Sequence, residues 1–161
     1  MDSKFLMVFN ETKHDIYRLV YNYMKNSYDT DDIVQNVYLK LHKQMGQLND
    51  NEHIKRWLVR VAINECKSHF TLNWVKKSVP LDETLMDDRI SETDNTDSEV
   101  LTAILDLPRK LSMVTHLFYY EGYSIAEIAD MLKIKEAAIK KRLQRAREKL
   151  KETLKEAWSN E

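Results

Sequence analysis

The chain has 161 residues, a formal net charge of -1, 43% hydrophobic residues and only two glycines and two prolines. That size gives one domain or two small ones, and so little Gly and Pro favours long helices over strands joined by tight turns. Gly46 and Gly122 lie too far apart for a phosphate-cradling loop, and no run of about 18 apolar residues suggests a membrane span.

The opening "MDSKFLMVFNETKHD" has a short apolar run without the long apolar region and small-residue cleavage site of a secretory leader. Cys66 is the only cysteine, so no internal disulfide forms and a reducing compartment is expected.

In chain order, a first helical block spans about Ser3 to Val75. "KHDIYRLVYNYMKN" places Ile16, Val20 and Tyr23 at helical spacing. "YDTDDIVQNVYLKLHKQM" predicts a second helix with Asp29 as its N-cap. It has one apolar stripe of Ile33, Val37 and Leu41 and another of Val34, Tyr38 and Met45. After the polar break "GQLNDNE", "HIKRWLVRVAINECKSHF" predicts a third helix burying Ile54, Trp57, Leu58 and Val61.

From Pro80 to about Ser98 the chain is acidic, rich in Ser, Thr and Asp, and poor in apolar residues, which reads as a flexible linker. A short helix follows from Glu99 to near Asp106. Pro108 suits the first turn of the next helix, which buries Leu111, Val114 and Phe118 and stops at Gly122. Ser124 and Glu127 form a capping box for a helix carrying Ile125, Ile128, Ala129 and Leu132. Lys133 and Ile134 make the turn, with Ile134 as a buried plug. The last helix starts near Lys135 or Glu136 on an apolar stripe of Ile139, Leu143, Ala146 and Leu150.

Charge is segregated along the chain. Leu81 to Glu99 holds eight acids against Arg89, and Lys133 to Lys155 holds ten bases against three acids. Such separation marks an interaction surface or a solvated linker beside a soluble helix. Two helices joined by a short turn, the second basic, fit a helix-turn-helix. Opposite the apolar stripe lie Ala137, Ala138, Lys141 and Arg145, flanked by Lys140 and Arg142. A small, basic face of this kind suits the major groove, and the helix N-terminus suits phosphate.

The segment "LPRKLSMVTHLFYYEGYSIAEIADMLKIKEAAIKKRLQRAREKL" resembles region four of bacterial extracytoplasmic-function (ECF) sigma factors. "YDTDDIVQNVYLKLHKQM" followed by "RWLVRVAINECKSHF" resembles their region two. The resemblance implies an all-α chain of two small helical domains: region two at 1–75, a flexible acidic linker at 76–98 and region four at 99–161. It further implies a cytoplasmic protein that binds core RNA polymerase, at the β′ clamp helices and the β flap, and directs it to promoter DNA. An anti-sigma factor is an implied partner, and membrane insertion is not expected.

In the family the Asp-Asp-x-x-Gln helix docks on the clamp helices. Here that motif is Asp31, Asp32, Gln35 and then Asn36, where Glu is usual, with Val37 and Tyr38 as the apolar pair. The loop from Leu48 to Glu52 and the following helix correspond to the part that opens the minus-ten element. Arg60, Asn64 and Lys67 are its expected DNA contacts, with Lys55 and Arg56 also available. Trp57 could stack a base, but reads better as a core aromatic. In region four, Lys135, Ala138, Lys140, Lys141, Arg142 and Arg145 are the expected contacts to the minus-thirty-five element.

There are departures from the family pattern. Ser68 and Thr71 stand where an acid and an Arg are common, Lys133 where Gly is common, and Lys135 where Ser or Thr often caps. Cys66 and His69 are too few for a zinc site, and read as a half-buried thiol beside a surface imidazole. No catalytic constellation is present, so the chain is expected to be no enzyme and to carry no cofactor or metal. Two alternatives stay open on sequence: a stand-alone helix-turn-helix regulator, and a sigma-like polymerase-binding protein that does not melt promoters.

Overall fold

The computed structural model describes residues 3–48, 50–76 and 95–159, with side chains described from 3 to 69, apart from 49, and from 99 to 155. Every element among them is helical, and the chain divides into two units, Met1–Met86 and Asp87–Glu161. Most of the acidic linker expected at 76–98 lies outside the described residues.

The first unit packs three helices against one another: α1 (Ser3–Met24), α2 (Ser27–Gln44) and α3 (Asn51–Lys76). Ile16, Leu19, Val20 and Met24 of α1 meet a core of Ile33, Val37 and Leu41 from α2 and Ile54, Leu58, Ala62 and Ile63 from α3, all buried. The expected α1 face thus gains Leu19 and Met24, while Tyr23 is only half-buried. On α3 the buried side runs through Ile54, Leu58, Val59, Ala62, Ile63 and Cys66. Trp57 and Val61, expected in the core, are half-buried. They lie on the edge of the face that Leu58 and Ala62 turn inward.

The connection from α1 to α2 is two residues long because both take special roles. Lys25 is left-handed (φ 65) and its N–H donates to the Tyr21 carbonyl at 2.8 Å. Asn26 is extended, and its Oδ1 accepts from the Asp29 N–H at 2.9 Å while its Nδ2 donates to Asp29 Oδ2 at 2.9 Å. Asn26, not Asp29, is therefore the N-cap of α2. Asp29 sits one turn inside and completes a reciprocal cap, with its carboxylate near the positive helix end. Between α2 and α3 lies a 3-10 turn (Met45–Gln47), followed by Leu48, which is 6% exposed.

In the second unit α4 (Asn95–Leu105) begins four residues before the expected Glu99. Pro108 is the N-cap of α5 (Arg109–Thr115) rather than a residue of its first turn, and its carbonyl accepts from the Leu111 and Ser112 N–H groups at 2.9 Å each. α5 then widens into a π-helical turn, His116–Tyr120. That widening changes the angular phase of the chain, so Phe118 reaches only half burial while Tyr119 and Tyr120 face solvent. Gly122 (φ 75) ends the turn, in the left-handed conformation expected of it.

α6 (Ile125–Leu132) and α7 (Glu136–Ser159) complete the unit. α7 packs on α4, α5 and α6, with Ile139, Leu143 and Ala146 buried and Leu150 partly buried.

Candidate nucleic-acid and polymerase interface

α6 and α7 form the helix-turn-helix. Ser124 Oγ accepts from the Glu127 N–H, and Glu127 Oε1 accepts from the Ser124 N–H, both at 3.1 Å, so the capping box closes in both directions. Ile128, Ala129, Met131 and Leu132 are buried beneath it. Lys133 adopts the left-handed conformation (φ 58, ψ 44), and the Ile134 N–H reaches back to the Ala129 carbonyl at 3.1 Å. This closes α6 in the manner usual for glycine. Ile134 is half-buried, so it lies at the rim of the helix crossing and is not the enclosed plug expected.

The Lys135 carbonyl receives the Ala138 and Ile139 N–H groups at 3.0 and 3.2 Å, so α7 starts without a side-chain cap at that position. Along α7, Lys135, Ala137, Lys140, Lys141 and Arg145 are exposed, and Ala138 and Arg142 are half-buried. The apolar stripe faces the unit's own core and these residues face away from it. A helix must present such a side to enter a groove.

On α3, Arg60 and Asn64 are exposed and Lys67 is half-buried. Their spacing of four and three residues keeps them on one face, and exposed Arg56 extends that row by one turn. Lys55 stands 3.6 Å from Asp15. In the preceding loop Leu48 is buried, whereas Asp50, Asn51 and Glu52 are exposed. Thr71 falls among residues whose side chains are not described, and Ser68 is exposed.

On α2, Asp31, Asp32, Gln35 and Asn36 are all exposed. The apolar pair read beside them is not. Val37 is 0% and Tyr38 4% exposed, and both belong to the core. Tyr38 lies 2.7 Å from Thr12 Oγ1, which also donates to the Val8 carbonyl at 2.7 Å. Since the threonine proton is committed to Val8, the tyrosine hydroxyl is the donor. Burial, aided by the charge of Asp15, pushes the Tyr38 phenol up to about 12. The apolar surface of the acidic face comes instead from Leu39, 55% exposed, and Tyr28, 73% exposed. Periodicity alone could have found Leu39, because it follows Asp32 by seven residues and Gln35 by four.

Cys66 is fully buried rather than half-buried, and burial, aided by the charge of Glu65, pushes its thiol up to about 12. His69 is half-buried and stands 3.2 Å from Asp29, tying α3 to the start of α2, as the Lys40–Glu65 pair does further along. Among the described residues no group of three or more His, Cys, Asp or Glu side chains could hold a metal ion. No helix among them is long and apolar enough to cross a membrane.

The family model described as Sigma-70 region 2 matches residues 8–75, and that described as Sigma-70, region 4 matches residues 97–150. The chain is 32% identical over 139 residues to the RNA polymerase sigma factor SigV of Bacillus subtilis, covering 83% of this chain and 81% of that one. It is 28% identical over 147 residues to the ECF RNA polymerase sigma factor SigM of Mycobacterium tuberculosis, covering 91% and 74%. Among solved structures, its fold is similar to the sigma factor RpoE in complex with the anti-sigma factor NepR from Bartonella quintana. That match has a TM-score of 0.67 and 19% identity and covers 94% of each chain. CnrH in complex with the cytosolic domain of CnrY matches with a TM-score of 0.60 and 20% identity, covering 94% of this chain and 87% of that one. With both conserved regions matched in order, and with a helix-turn-helix and an acidic helix face in their respective units, this chain belongs to the extracytoplasmic-function sigma factors of bacterial RNA polymerase.

Proposed function

We propose that this sigma factor docks on core polymerase through α2, with Asp31, Asp32, Gln35 and Asn36 set against the β′ clamp helices. One observation carries this reading. All four side chains are exposed on the outer side of a helix whose inner side is buried, and Leu39 stands exposed one turn further on. A row of acids and amides leading to an apolar anchor suits packing against another helix. The second unit engages the β flap and brings α7 to the minus-thirty-five element through Lys135, Ala138, Lys140, Lys141, Arg142 and Arg145. Arg60, Asn64 and Lys67 follow the strand opened at the minus-ten element, where several weak phosphate contacts act together.

The chain works in the cytoplasm, where polymerase and chromosome are. It catalyses nothing itself, since polymerisation belongs to the polymerase. An anti-sigma protein holds it inactive, a reading supported by the complex in which the relative RpoE was solved with NepR. The test is core affinity of the double variant Asp32→Ala/Gln35→Ala, measured beside its helicity. A loss of at least about tenfold with helicity unchanged is expected from removing two central interface contacts. Undiminished affinity would overturn the assignment of α2.

A further inference from the structure

Arg147 is held in a manner unlike the other basic residues of α7. Its Nε donates to the Tyr119 hydroxyl at 2.6 Å, across 28 residues of sequence. The guanidinium carbon lies 5.8 Å from the Tyr119 ring centre and 6.0 Å from that of Phe118. The two rings are themselves packed edge to face at 4.9 Å. Tyr119 is brought to this position by the π-helical turn, whose buried His116 stands 3.3 Å from Glu121 and stacks on Tyr120 at 5.7 Å. Among the described residues no carboxylate pairs with Arg147, and its hydrogen bonds are confined to Nε. The two terminal amino groups form an end-on fork of fixed direction, the geometry that matches a phosphate.

The position on α7 says which phosphate is meant. At 3.6 residues per turn, Lys140, Gln144, Arg147 and Lys151 share one flank, between the buried stripe and the side carrying Lys141 and Arg145. All four are exposed, and the one acid beside them, Glu148, lies towards Lys141 and accepts from Gln144 at 3.5 Å. A helix with side chains is about 10–12 Å across, and the major groove is about 12 Å wide. A helix that presents Lys141 and Arg145 to the groove floor must therefore lay its flanks against the backbone walls.

We propose that Arg147 receives one backbone phosphate of the promoter duplex and that Tyr119 is a positioning residue, so that this contact sets the register of α7 in the groove. The proposal rests on α7 being the groove-reading helix. Phosphate contacts fix orientation without reading sequence, so the pair acts equally on every promoter. Holding the guanidinium ready before binding reduces the ordering cost at the moment of contact.

The test uses holoenzyme and a minus-thirty-five duplex in which single phosphates are replaced by uncharged methylphosphonates. Wild type should show one sensitive phosphate whose replacement no longer matters in Arg147→Ala. Arg147→Ala should bind about tenfold more weakly, on cognate and altered sequences alike, with a salt slope smaller by about 0.9. Arg147→Lys should restore the slope but not the full affinity. Tyr119→Phe should keep the slope and lose affinity, and the double variant Tyr119→Phe/Arg147→Ala should be no weaker than Arg147→Ala alone. Identical phosphate-sensitivity profiles in wild type and Arg147→Ala would overturn the proposal, as would a defect confined to core binding. If Arg145→Ala changes no base preference, the groove-reading assignment of α7 fails separately.

Discussion

The Tyr38 hydroxyl donates to Thr12 Oγ1 inside the first unit, linking α2 to α1 across 26 residues of sequence. Both partners are buried, at 4% and 8% exposure, and the bond lies behind the helix face assigned to polymerase. Tyr38→Phe should cost about 1 kcal/mol, the net worth of a buried hydrogen bond. Thr12→Val removes the other partner, and the two changes should be non-additive because they break one bond. Urea unfolding of both single variants and the double variant measures this, and full additivity would contradict the assigned bond.

Stability of the first unit should fall in alkali. Cys66 and Tyr38 both hold their protons more tightly when folded, with the thiol raised from 9.0 and the phenol from 10.0 to about 12 each. The unfolded chain releases these protons first. The stabilisation is therefore complete below a pH of about 9 and is lost as pH rises from there to about 12. Cys66→Ala should lessen the early part of that loss, at the expense of a small cavity. Urea midpoints between pH values of about 8 and 11 give the profile, and a flat one would reject both assignments.

Lys133 sits at φ 58 in the turn of the helix-turn-helix. A side chain there costs about 1 kcal/mol that glycine avoids, part of which glycine returns through its freer unfolded state. Lys133→Gly should raise stability by roughly 0.5 kcal/mol. It should also weaken DNA binding slightly, since one exposed cation is removed. A drop in the thermal midpoint would mean that the Lys133 side chain holds the turn in some way the backbone does not reveal.

Arg145 is exposed on the side of α7 opposite Ile139 and Leu143. Arg145→Ala should cost about 1–3 kcal/mol, and it should relax preference at one base pair of the minus-thirty-five element. Binding to a panel of single-base variants separates this from a uniform loss, which would make Arg145 a phosphate contact instead.

The helices and their inward stripes were legible because burial repeats at a fixed period: Ile33, Val37 and Leu41, and Ile139, Leu143 and Ala146, are inward as their spacing requires. The Ser124–Glu127 box and the Gly122 stop were legible because each is a local contract between backbone and side chain. What escaped depends on partners distant in sequence. Asn26 displaced Asp29 as cap because left-handed Lys25 ends α1 directly before it. Spacing places Tyr38 on an apolar stripe, but does not reveal its hydroxyl's bond to Thr12 on another helix. The π-helical turn changes the phase after His116, so Phe118 left the core and Tyr119 reached Arg147. No local pattern announces such a shift.

The concealed sulfur of Cys66 has a practical consequence for measuring the distance between the two units. It is the chain's only cysteine, it is 0% exposed, and its thiol is pushed up to about 12. The thiolate is the species that attacks alkylating reagents, so the native fold offers them almost nothing at neutral pH. The unmodified protein is thus a silent background for fluorophores and spin probes. A single cysteine installed at an exposed site of each unit, through Ser68→Cys and Gln144→Cys, would take up a dye pair without removing any native residue of the core. Energy transfer between the dyes would then follow the separation of the two units, free and on polymerase, in the intact chain.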